Sequence, residues 1–305
     1  MRHDLPMAKE KRPPVALEST IYAFGLPYPK NVELGWKLAR TISSTGAEPK
    51  TFAVIDGELR AGLTDHELDR ISRAGIDGGV LKLNASDLGV AMALGLTGAT
   101  TVSATCALAA GAKVRVFATG GIGGVHREAA ESFDESQDLT ALSRYPVAVV
   151  SAGAKAILDL PKTLERLETL GVPVIGYRTA ELPGFYTRHT GIKLPLTVTD
   201  PATLARVLRA HWRVHPSVGV LIVNPIPEAA ALDQVFIDDA IDHALADARA
   251  DGVRGKALTP FLLKRLDDLT EGKSVDANVA LAENNAHLGG EIAVALHAML
   301  DEDAA

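Results

Sequence analysis

Short, nearly unbroken apolar runs alternate along this chain with stretches whose apolar residues recur every three or four positions. The runs cover residues 15–17, 51–55, 79–83, 100–102, 115–118, 147–150, 172–177 and 218–223. Most lack an apolar–polar alternation, so they predict strands covered on both faces. Between them, residues 31–45, 64–73, 154–169 and 201–212 carry helical spacing. Alternating strands and helices predict an α/β fold, a three-layer α/β/α sandwich around a mostly parallel, mixed sheet. After "VLIVNPIPEA" the pattern changes: Ile237, Ile241 and Leu245 recur at helical spacing, and helical stretches continue to the C-terminus. No Gly/Ser-rich or Pro-rich linker separates them, so residues 14–305 read as one domain with a helical C-terminal portion. Residues 1–13 are polar and Pro-containing, without the apolar core of a signal peptide, and read as a flexible tail.

Charge and composition narrow the function. A formal charge of −7 argues against a nucleic-acid-binding surface, although a local pocket can still favour a small anion. No apolar run approaches the ~20 residues that span a bilayer, so no membrane partner is expected. The single cysteine, Cys106, rules out an intramolecular disulfide and fits a reducing cytoplasm. Its surroundings, "VSATCALAA", suit a small buried hydrophobe better than a reactive thiol.

Several side chains with chemical potential stand at predicted strand ends, where open α/β sheets place their ligands. In "VAVVSAGAKAIL" eleven of twelve residues are small or apolar and the exception is Lys155. A lysine held there away from water would lose its charge more readily, and a neutral amine can attack a carbonyl to form an imine. A helix beginning at residue 154 would add positive potential in the same direction. The alternative is a lysine that snorkels to solvent. Glu18 ends the first run and suits a general acid if buried, or a carboxylate serving nearby helix termini. Lys82 suits an anionic oxygen as a point charge, or lies solvated. The Gly-rich stretch "FATGGIGGVHR" matches no nucleotide-binding spacing. "SFDESQDL" offers spaced oxygens that suit a hard divalent cation keeping most of its waters, and its Ser136 or Asp138 also suits a helix cap. His211 and His215 sit four apart but lack the glutamate of a zinc-protease motif.

Taken in order, "VALEST", "GLPYPKNVE", "GATTVSAT", "VFATGGIGGVHR", "SFDESQDL", "VVSAGAKAILDL", "NPIPE" and "AENNA" resemble the pseudouridine-5'-phosphate glycosidase family, also described as indigoidine synthase A-like. The resemblance runs from about Pro14 to the C-terminus. It implies reversible, water-consuming cleavage of the C–C glycosidic bond of pseudouridine 5'-phosphate to uracil and ribose 5-phosphate. It implies Lys155 as nucleophile, Glu18 as proton donor and Lys82 on the phosphosugar. Val102, Ser136, Gln137, Asp138 and Asn278 would contact substrate, and Asp134 would hold Mn²⁺ or another divalent cation such as Mg²⁺. It also implies a homotrimer. Two departures bear on substrate and assembly: Phe24 stands where the family commonly has histidine, and Ala85 and Ser86 stand at two positions commonly arginine. The rival expectations are a Schiff-base lyase or aldolase acting on another phosphosugar, and a non-catalytic phosphosugar-binding protein.

Overall fold

The computed structural model describes residues 12–304 except 77 and 254, so residues 1–11 of the expected tail lie outside the described residues. The strands are β1 (Pro14–Leu17), β2 (Glu48–Ile55), β3 (Glu58–Ala61), β4 (Leu81–Leu83), β5 (Gly98–Thr100), β6 (Val116–Ala118), β7 (Ala148–Ser151), β8 (Val174–Tyr177), β9 (Thr197–Val198) and β10 (Val220–Val223). The helices are α1 (Thr20–Phe24), α2 (Lys30–Ser44), α3 (Asp65–Ile76), α4 (Leu88–Ala93), α5 (Val102–Gly111), α6 (Ala129–Ser132), α7 (Gln137–Arg144), α8 (Leu160–Thr169), α9 (Pro201–Val214), α10 (Gln234–Ala250), α11 (Leu258–Leu269) and α12 (Lys273–Ala304).

One mixed sheet runs in the order β4-β5-β2-β1-β6-β7-β10-β8-β9, with β3 added to β2. Helices α2, α9 and α12 pack together on one face, while α5 and α7 pack together by β1, β2 and β5. Every residue of β7 is buried, as is every residue of β10, which explains why these strands are apolar without alternation. Each fully buried Val, Leu or Ile of this kind contributes about 1.5–3 kcal/mol relative to exposure. All eight apolar runs overlap a strand, the run 100–102 only at Thr100. The pattern did not reveal β3, whose "ELRA" is mostly exposed at the sheet margin, or the two-residue β9.

Of the boundaries that differ from the sequence expectation, two concern the site. The run 100–102 stops being a strand at Thr100, because Thr101 caps α5 by accepting from the Ala104 N–H at 3.5 Å. Val102 is therefore the first residue of a helix. The helix expected from residue 154 begins only at Leu160. Asp159 caps it, accepting from Lys162 N at 3.0 Å, and Pro161 occupies the first turn, where a missing N–H costs nothing. Lys155 therefore precedes that helix by five residues instead of standing in its first turn.

The sheet is not simply parallel, and this places the strand ends. β1, β6, β7, β10 and β8 run parallel to one another. β2 follows β1 in parallel along its first half, pairing Leu17 with Thr51. Its second half pairs antiparallel with β5, Ala53 against Ala99, and β5 runs parallel to β4. β4 and β5 thus extend the sheet beyond the end of β1 and run back towards it. Their C-terminal ends face the C-terminal ends of β1, β6 and β7 across a narrow gap, where Ser19 N donates to Thr100 O at 3.3 Å. Long β2 is the rail that holds the two sets in opposition.

Helix α1, which leads directly out of Glu18, lies tight against α3. A Cβ on Gly75 of α3 would collide with the Ala23 carbonyl oxygen and lie 2.7 Å from its Cα. An exposed helical Gly→Ala change normally stabilises by up to about 1 kcal/mol. Gly75→Ala is instead expected to destabilise by about 1–3 kcal/mol, read as a lower urea midpoint at unchanged slope. A stability equal to or above that of the parent would contradict this backbone contact.

Candidate active site

The facing strand ends border a cleft. Glu18, Lys82, Lys155 and Asn278 all line it, four of the residues expected from sequence. They come from the end of β1, from β4, from the turn after β7 and from α12. Ile21, Phe24, Phe185, Pro260 and Leu263 supply apolar walls.

Lys155 is carried by a turn rather than a helix. Gly153 has φ +89°, a conformation that a side chain would strain. Beyond it, Ala154 bridges Ile122, and Lys155 N donates to Ile122 O at 3.0 Å. The Gly-rich loop therefore pins the Lys155 backbone, and the side chain is partly buried in the cleft. That loop uses glycine for close approach. A Cβ on Gly121 would sit 2.5 Å from the Phe185 ring, and one on Gly123 would strike Ser136 Oγ. Phe185 itself is 2% exposed with φ 67°, a left-handed backbone costing about 1–2 kcal/mol that the surrounding packing must offset.

Glu18 is 6% exposed. Burial pushes its carboxyl above the usual carboxylate range. The Lys155 charge opposes that shift, as do hydrogen bonds donated by Thr119 Oγ1 to one carboxylate oxygen and Thr20 Oγ1 to the other. The net upward direction favours a protonated acid able to give up a proton. Asn278 is 6% exposed, and its Oδ1 has no hydrogen-bond partner among the described residues. A buried carbonyl left unpaired costs about 1–3 kcal/mol, so a ligand donor at that atom would be strongly favoured.

The other expected residues form a layer beside the cleft rather than its lining. Asp138 is 5% exposed, and its carboxylate accepts from Ser103 N at 2.8 Å and Gly123 N at 2.7 Å. It locks the start of α5, where Val102 is buried, to the Gly-rich loop. Ser136 caps α7 by accepting from Asp138 N at 3.2 Å. Gln137 reaches across to Ser86, with Nε2 donating to its Oγ at 2.8 Å. Asp134 stands on a loop, its Oδ2 4.0 Å from His126 Nε2.

Thr20, Thr119 and His126 were not singled out from sequence. His126 joins the two layers: burial pushes its imidazole down, Asp134 opposes, and Lys82 and Lys155 push it down further. The signal for Thr119 and His126 lay in "FATGGIGGVHR", whose ends flank the glycines. Cys106 is fully buried with its thiol pushed up, an inert core residue. His211 Nε2 lies 3.1 Å from the Val218 carbonyl, and among the described residues no third ligand joins it and His215.

Among the described residues no three His, Cys, Asp or Glu side chains gather into a metal cluster. The donor set at Asp134 is a single partly exposed carboxylate. Such a set fits a hard divalent ion that keeps most of its waters, and does not fit a dedicated protein cage.

Residues 6–295 match the family described as indigoidine synthase A like protein. The chain belongs to that family. It is 52% identical over 294 residues to a pseudouridine-5'-phosphate glycosidase of Caldanaerobacter subterraneus subsp. tengcongensis, covering 96% of this chain and 95% of the relative. It is 49% identical over 287 residues to the enzyme of that name in Paracoccus denitrificans, covering 94% of each. Among solved structures of the family's fold, the crystal structure of an indigoidine synthase A-like protein from Thermotoga maritima superposes with TM-score 0.85 at 33% identity, over 93% of this chain and 92% of the other. The prealnumycin C-glycosynthase in complex with ribulose 5-phosphate superposes with TM-score 0.87 at 38% identity, over 95% and 94%.

The Glu18 burial has a stability consequence. A carboxyl whose folded-state pKa is raised contributes stability below its ordinary pKa and loses it as pH rises through the folded value. Glu18→Gln removes that loss while keeping an amide oxygen for one threonine. We expect a higher Tm than the parent at pH above the raised folded value, and a gain that shrinks as the pH falls through that value to the usual carboxylate range and is constant below it. A Tm difference independent of pH would contradict a proton-linked cost at Glu18.

Proposed function

We propose that this cleft cleaves the C–C glycosidic bond of pseudouridine 5'-phosphate with water, giving uracil and ribose 5-phosphate, reversibly. The observation that carries the reading is one cleft lined by a buried acid with raised pKa, a partly buried lysine, a second lysine and an unpaired buried amide oxygen. Relatives about half identical over most of the chain carry the corresponding name, which supports the substrate.

The chemistry needs this set. An N-glycoside leaves through a heteroatom, and two carboxyl groups suffice for such a bond. In pseudouridine C1' is bonded to a ring carbon, so the electron pair of the breaking bond needs another outlet. In the proposed course Glu18 gives its proton to the ribose ring oxygen as the C1'–O4' bond breaks. The Lys155 amine forms a bond to C1'. The resulting ammonium returns a proton to the Glu18 carboxylate, and the C1'–C5 bond then breaks, its electron pair going to uracil C5, which takes that proton from Glu18, while the freed amine lone pair completes a protonated imine. Water adds to that imine and releases ribose 5-phosphate with the free amine. Lys82 would hold the phosphate as a point charge, and Asn278 Oδ1 would accept from an N–H of the base.

Val102, Ser136, Gln137 and Asp138 would complete the substrate pocket, with Asp138 acting through the loop that it locks. Asp134 would hold Mn²⁺ or Mg²⁺ through water, supplying positive charge near the anionic substrate. A cytoplasmic homotrimer belongs to the same reading.

The assay is uracil release from pseudouridine 5'-phosphate, followed by absorbance with and without added Mn²⁺. The parent is expected to turn over and to lose most activity on chelation. Lys155→Ala is expected to lower kcat by about 10³-fold or more while circular dichroism and Tm stay near those of the parent. A folded Lys155→Ala variant with near-normal kcat would remove lysine from the mechanism. A parent that consumes another phosphosugar but releases no uracil would favour the lyase or aldolase alternative.

A further inference from the structure

Asn285 is fully buried on α12 and bonds the backbone of Gly120, a residue of the cleft lining. Its Nδ2 donates to the carbonyls of Thr119 at 2.8 Å and Gly120 at 3.3 Å. Its Oδ1 accepts from Asn224 Nδ2 at 3.1 Å, which sets the orientation of the amide. Asn224, itself 5% exposed, donates its backbone N–H to Ser151 O at 2.8 Å.

These bonds meet at the two halves of the site. Thr119 is the residue whose hydroxyl grips Glu18. The Gly120 carbonyl also accepts from Ala152 N at 2.9 Å, inside the turn that delivers Lys155. Ser151 closes β7, immediately before that turn. One buried amide therefore ties the ends of β6, β7 and β10 to α12, and the same helix carries Asn278 into the cleft two turns earlier. A buried amide with every donor and acceptor engaged has one arrangement to adopt, and so fixes what it joins.

We propose that Asn285, buttressed by Asn224, is a positioning residue that sets the placement of Glu18, through Thr119, relative to Lys155, through the Gly120 carbonyl and the turn beyond it. This rests on the acid and nucleophile roles proposed above. Asn285 touches no reacting atom on this account. Losing it loosens the Thr119 backbone, weakens the hydroxyl grip on Glu18 and widens the range of separations between acid and amine.

The test uses Asn285→Asp, which keeps the shape and one acceptor but lacks the donated N–H groups, and Asn285→Ala. Asn224→Ala replaces either variant that fails to fold. Two readouts are needed. In uracil release, kcat is expected to fall about tenfold to a hundredfold, the scale for a small misplacement of reacting groups, while KM stays within about threefold. In the free protein, the Glu18 carboxyl followed by carbon-13 NMR is expected to titrate at higher pH than in the parent, because the Thr119 hydrogen bond that opposes the upward shift is weakened. A folded variant with either readout unchanged overturns the proposal. A parent that releases no uracil fails the proposed function instead, and the Glu18 titration alone then decides the positioning role.

Discussion

A carboxyl group kept out of water beside an amine is the constraint around which this molecule is arranged. Burying an ionised carboxylate without compensation costs several kcal/mol, and proteins usually avoid it or protonate the group. Here burial is the largest influence on Glu18, and the Lys155 charge and two threonine hydroxyls oppose it without reversing it. The balance leaves an acid that holds its proton more tightly than an exposed glutamate. Thr20 and Thr119 each hold one carboxylate oxygen, so the group is also held in place.

The fold supplies that environment by turning part of its sheet around. Were β4 and β5 parallel to β1, Lys82 would end on the same edge as Glu18 and Lys155, pointing the same way. Because β2 pairs parallel with β1 and antiparallel with β5, Lys82 instead approaches from the opposite side. The cleft is thus closed from two directions by strand ends, and α11 and α12 add Pro260, Leu263 and Asn278. Close backbone packing does the remaining work. Gly121 makes room for Phe185, Gly123 makes room for Ser136, and Asp138 clasps the loop through two backbone N–H groups.

Much of this was legible in the residues, and the gaps have physical reasons. Fully buried strands such as β7 and β10 announce themselves by unbroken apolar runs, whereas exposed β3 carries no such signal. Glu18, Lys82 and Lys155 stand out because charge at the end of an apolar run is unusual, and all three do line one cleft. Lys155 was expected at a helix start because small residues in "SAGAKA" suit a helix as well as a turn; the later cap at Asp159 and the proline at 161 were the better boundary signal. Val102 was expected to end a strand because valine favours strands, but the Thr101 cap outweighs that preference. Thr119 and His126 are marked only by flanking the glycines of "FATGGIGGVHR", and the contacts of Thr119 and Asn285 join partners distant in sequence that no local spacing predicts. The spaced oxygens of Asp134, Ser136 and Asp138 stand out in the sequence and Gln137 enters through the resemblance alone, but their place beside the lining rather than in it needs the three-dimensional arrangement.

The chemistry hangs on whether the Lys155 amine becomes bonded to the sugar. The direct measurement is borohydride reduction of the protein with ribose 5-phosphate, followed by peptide mass mapping. The account predicts a stable pentose phosphate adduct on the peptide carrying Lys155, and none there when Lys155 is replaced by alanine. An unmodified Lys155 in protein that is turning over substrate normally would contradict it.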